Sequence, residues 1–93
     1  MTENTGFKFS CGEVIATRSV TEAVPPLVRI TALGRHLNGD WGDLSEADKA
    51  ANNEALQNGG RLISAYHAPD GTKFWIITEA DRSFTTYLLP DEY

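Results

Sequence analysis

The chain is short of most features that would betray a chemistry. It has one cysteine, Cys11, among 93 residues. It can therefore build neither an internal disulfide nor a paired-cysteine zinc site, and a reducing cytoplasm is the expected compartment. The two histidines, His36 and His67, lack the short spacing of metal ligands, so no metal or other cofactor is expected. No apolar run approaches the roughly 18 residues that a membrane span needs. The opening Met1-Thr2-Glu3-Asn4-Thr5-Gly6 has neither a basic nor an apolar region of the export type. Eight Lys and Arg are scattered against 13 Asp and Glu, a formal net charge of −5. That balance argues against direct nucleic-acid binding and favours a cationic partner.

What is present fits a folded globule. An apolar fraction of 41% with 23% charged residues can bury a core, and the length suits a single domain. The expectation is one α+β domain over residues 7–93 after a disordered segment 1–6. An N-terminal strand is expected at Val14-Ile15-Ala16-Thr17, followed by a helical turn at Thr21 to Val24 that Pro25-Pro26 stops. Leu27, Ile30, Leu33 and Leu37 share one stripe of a helix, with Pro26 at its start and Asn38-Gly39 at its end. Ser45 caps a second helix running to about Asn58, whose inner face is Ala47, Ala51, Ala55 and Leu56.

The last third reads as a C-terminal three-stranded antiparallel meander: Arg61 to His67, Thr72 to Thr78 and Ser83 to Leu89. Pro69-Asp70-Gly71 joins the first two strands, Pro presetting φ and Gly accepting a positive one. Because Phe74 and Ile76 alternate with Trp75 and Ile77, the middle strand is apolar on both faces and is expected at the centre of the sheet. The two helices should cover the Phe74 side, with Trp75 packed in a core on the other. Were that second face left open, Trp75 and Ile77 would form an apolar patch, most simply for a homodimer.

Three stretches carry a resemblance: GDWGDL (39–44), NGGRLISAY (58–66) and DGTKFWIITEADRSFTTYLLPDEY (70–93). Over the C-terminal two thirds the chain resembles a family of small, mostly uncharacterised proteins carried on bacterial plasmids, integrative elements and prophages. The resemblance implies a mobile-element context and cytosolic bacterial expression. It carries over no catalytic residue.

Two functional readings follow. One is a small acidic accessory protein that binds a host- or element-encoded protein, inhibiting or modulating a defence or regulatory system. Its interaction residues would be Asp40, Trp41, Asp43, Glu79, Asp81 and Arg82. The segment from Thr78 to Ser83 then has two roles open to it: a hairpin turn in which Asp81 and Arg82 bond backbone groups or pair with each other, or a rim presenting the Arg82 fork to an anion. Trp41 is either an anchor folded back on the sheet or an exposed contact. The other reading is a metal-independent ribonuclease of toxin type. It would need His36, Arg61, His67, Arg82, Thr85 and Tyr87 to converge for acid/base work and phosphate stabilisation.

Overall fold

The computed structural model describes residues 7–93; the segment 1–6 expected to be disordered lies outside the described residues. The elements run β1 (Glu13–Ala16), α1 (Arg18–Ala23), α2 (Pro26–Leu37), α3 (Glu46–Asn58), β2 (Leu62–His67), β3 (Lys73–Thr78), β4 (Phe84–Leu88) and a closing 3₁₀ turn, Pro90–Glu92. The class is α+β. The strands form one mixed sheet in the order β1-β4-β3-β2. The meander is antiparallel, and β1 joins it parallel to β4, with Ile15 beside Thr86. The middle strand of the meander thus shares the interior of the sheet with β4.

Local chemistry explains most boundaries. The Thr17 hydroxyl accepts from the Val20 amide to start α1, and the Ser45 hydroxyl accepts from the Asp48 amide to start α3. Pro26 opens α2 at a position where its missing N–H costs nothing. Between β2 and β3, the Asp70 carboxylate accepts from the Thr72 amide, and Gly71 takes φ +92°.

Register divides the sheet into two unlike faces. On the first, Tyr66, Phe74, Ile76 and Tyr87 are buried beneath Val20 of α1, Val24 just after it and Ala32 of α2. On the second stand Ile15, Ile63, Trp75, Ile77, Phe84, Thr86 and Leu88, and neither α1 nor α2 reaches them. Trp75 is only half-buried, its ring meeting that of Tyr93 edge-on at 5.4 Å. The expected core on this side is therefore partial: Ile77 and Leu88 are buried at 4% and 7% exposure, while Ile15 and Phe84 stay 42% and 41% exposed.

Two helices also orient differently from expectation. In α2 the inward arc is Ala32, His36 and Leu37, whereas Leu27 and Ile30 project to solvent at 74% and 65% exposure. The cause is polar: the helix is rotated so that His36 meets Ser64 and Thr78 in the sheet. In α3 the innermost residue is Asn52, while Ala47 and Ala51 are exposed. This helix borders the outer edge of β2, where the Asn52 amide donates to the Ile63 carbonyl and accepts from the Ile63 amide. The next free groups on that edge, at Ala65, bond Trp41 and Asp43. Gly42 permits the close approach, since a Cβ there would lie 2.0 Å from the Ala65 carbonyl oxygen.

Candidate interaction surface

The buried side chains on the helix-covered face include a polar chain. His36, Ser64, Thr78 and Thr85 are each 0% exposed. Ser64 Oγ lies 2.5 Å from His36 Nδ1, and Thr78 Oγ1 lies 2.9 Å from Nε2. Thr78 Oγ1 and Thr85 Oγ1 are 2.7 Å apart, and Thr85 Oγ1 donates to the Cys11 carbonyl at 2.7 Å. The carbonyl can only accept, so the proton assignments run backwards from it. Thr85 gives its proton to Cys11, Thr78 gives its proton to Thr85, and His36 Nε2–H donates to Thr78. Nδ1 is then the acceptor for the Ser64 hydroxyl. Burial, with the Arg82 charge adding to it, lowers the His36 pKa to about 4, so the imidazole is neutral near pH 7. A serine hydroxyl aimed at an imidazole resembles an activated nucleophile, but both groups are closed from solvent. No reactant reaches them, and their chemistry is structural: every buried donor has an acceptor.

The other residues named for the ribonuclease do not join this chain. The Tyr87 hydroxyl donates to the Arg29 carbonyl, Arg61 donates to the Tyr93 hydroxyl, and His67 stands 3.8 Å from the Asp43 carboxylate. Thr85 connects to His36 only through Thr78, and it too is buried. The required convergence is absent from the described residues.

The turn from Thr78 to Ser83 is ordered by bonds to backbone, the first of the two structural alternatives for Asp81 and Arg82. Arg82 adopts φ +63° and sends Nη1 to the carbonyls of Gly60 at 2.6 Å, Glu79 at 3.0 Å and Ala80 at 3.1 Å. Nη2 reaches the Ala55 carbonyl at 3.2 Å, near the C-terminal end of α3, where a cation is favoured. Asp81 accepts from both the amide and the hydroxyl of Ser83, and these bonds lower its pKa. Glu79 lies 3.5 Å from Arg61. The Arg82 fork is thus occupied by carbonyls, leaving the structural role for this segment.

The loop before α3 is likewise engaged internally. Arg35 Nε donates to Asp40 at 2.7 Å, which holds that carboxylate below its usual range, and the Tyr66 hydroxyl donates to the Asp40 carbonyl at 2.6 Å. Trp41 is 3% exposed, its Nε1–H donating to Asn53 at 3.0 Å, so it is an anchor and not a surface contact. Asp43 remains exposed.

Open apolar surface lies on the second face of the sheet. A groove of about 330 Å³ there is lined by Leu44, Ala51, Ile63, Trp75 and Tyr93, with Asp48 and Arg61 among its charged walls. Ile15 and Phe84 continue the apolar surface toward β1, where Glu13 stands beside Phe84 in register. Comparison with protein-family models, curated proteins and solved structures finds no match. The geometry therefore carries the functional argument. Sequence reasoning placed interaction residues in charged loops and missed Ile15 and Phe84. Their signal was parity: each falls in phase with Trp75 and Ile77 once β1 is set beside β4.

Proposed function

We propose that this chain is a small acidic accessory protein of a mobile element, acting by binding a host- or element-encoded protein on the face of its sheet that α1 and α2 leave open. The observation that carries this reading is that a face which α1 and α2 leave open exposes Ile15 and Phe84 at one end and the Trp75–Tyr93 groove at the other, with Ile77 and Leu88 buried between them. An apolar surface bordered by charge is the usual form of a protein-docking site. The partner presents apolar side chains with basic neighbours. Glu13 and Asp48 border the face, Glu79 offsets Arg61, and the whole chain carries −5. A component of a host defence or regulatory system is the partner class that the mobile-element resemblance implies.

The test is affinity capture from bacterial lysate with wild type and with an Ile15→Asp/Phe84→Asp variant, both shown to melt cooperatively. One basic protein retained by wild type, released by salt and lost with the variant is the expected result. Equal capture by both proteins would place the interface elsewhere.

A further inference from the structure

The two edges of the sheet are treated in opposite ways. At the β2 edge, Asn52 and the Trp41–Asp43 segment satisfy the outward backbone groups of Ile63 and Ala65. Nothing equivalent covers β1 among the described residues. The amides of Glu13 and Thr17 donate to the carbonyls of Ser83 and Tyr87, so these odd-numbered residues face β4. Strand alternation then points the N–H and C=O of Val14 and Ala16 away from the sheet. No bond within the described chain meets them. Val14 and Ile15 flank this open edge at 43% and 42% exposure, and the four-residue strand carries one charge, Glu13, and no Lys or Pro.

We infer that β1 pairs antiparallel with β1 of a second copy of this chain, forming a two-fold dimer with a continuous eight-stranded sheet. The pattern of free groups is self-complementary. Val14 opposite Ala16 of the second copy makes a pair that exchanges both backbone bonds, and the symmetry repeats it. Ile15 then faces Ile15 of the second copy at the centre, in the non-hydrogen-bonded position where side chains approach most closely. The ends also match in charge. Glu13 of one copy comes beside Thr17 and Arg18 of the other; Arg18, its side chain 91% exposed, pairs with Glu22 at 3.3 Å within its own chain. The carboxylate of Glu92 lies near too, but it already accepts from the Thr17 hydroxyl and the Leu89 amide. α1 turns inward over β4, leaving the edge clear. A two-fold axis normal to the sheet keeps the two faces that α1 and α2 leave open on one side, so the dimer doubles that surface. The inference stands on the edge alone and does not depend on what binds the face.

The test uses Val14→Pro, which deletes an outward N–H and no bond to β4, with sedimentation equilibrium and amide hydrogen exchange on the full chain. Wild type is expected to be dimeric, with Val14 and Ala16 amides protected in proportion to protein concentration. Val14→Pro is expected to keep its cooperative melt and raise the dissociation constant about 100-fold. If that variant fails to fold, Ile15→Lys serves instead, because it retains every backbone group; it too is expected to be monomeric. A monomeric wild type, or a dimer that survives both substitutions, overturns the inference. So does protection of the Val14 amide that appears only when a different protein is added.

Discussion

The proton order through His36 decides which form of the imidazole the fold accepts. Both ring nitrogens are bonded to hydroxyls, and the chain ends on the Cys11 carbonyl, so protonating Nδ1 would expel the Ser64 proton from its acceptor. The folded pKa of about 4 lies below the ordinary 6.5. The unfolded chain therefore binds more protons between those values, and stability is full above pH 6.5 and falls as pH drops toward 4. The loss attributable to this group is about 3 kcal/mol. Urea unfolding between pH 7 and 4.5 should show that slope in wild type and a flatter one in His36→Gln, which keeps an amide in place but cannot titrate. Arg82 gives a second expectation at this scale. Arg82→Ala removes four bonds to carbonyls and should cost about 2–4 kcal/mol in chemical denaturation. Arg82→Lys should recover less than half, because an ammonium cannot spread its donors over the Gly60 and Ala55 carbonyls together. Neither role was legible in the sequence. In the sequence His36 stood out only as a candidate for acid/base work and Arg82 as a turn residue or an anion-binding fork, since only tertiary packing brings Ser64, Thr78 and the α3 carbonyls to them.

Among the elements, those written in local chemistry were legible and those set by long-range contact were not. The Ser45 cap, the Pro26 start and the Pro69-Asp70-Gly71 turn act over a few residues, and strand alternation gave the meander its two faces. The placement of β1 beside β4 depends on residues about 70 apart in the chain, and nothing in Glu13–Ala16 announces it. The helix stripes misled for a related reason. Leu27 and Ile30 fit the 3.6-residue period but lost the inward position to His36, and the α3 alanines lost theirs to Asn52. The Asn52 clamp can be tested separately. Asn52→Ala leaves the amide and carbonyl of Ile63 without partners and should cost about 1–3 kcal/mol. Hydrogen exchange should quicken at the Ile63 amide before it quickens at Ile76, which pairs within the sheet interior.

For the whole molecule, the central feature is a sheet with one face closed by helices and the other left partly open. Trp75→Ala distinguishes this arrangement from a two-sided core. A half-covered ring contributes about 1–2 kcal/mol, so the variant should retain a cooperative thermal melt, whereas loss of a fully buried Trp would remove about 3–5 kcal/mol. The competing exposed surface is the outer side of α2, where Leu27 and Ile30 project on the opposite side of the molecule. The most direct measurement is photo-crosslinking in bacterial cells with a benzophenone side chain placed at Phe84 or, in a parallel strain, at Leu27. A discrete crosslink to one basic protein from position 84 and none from position 27 is expected; crosslinking from position 27 with none from position 84 would contradict binding on the open face.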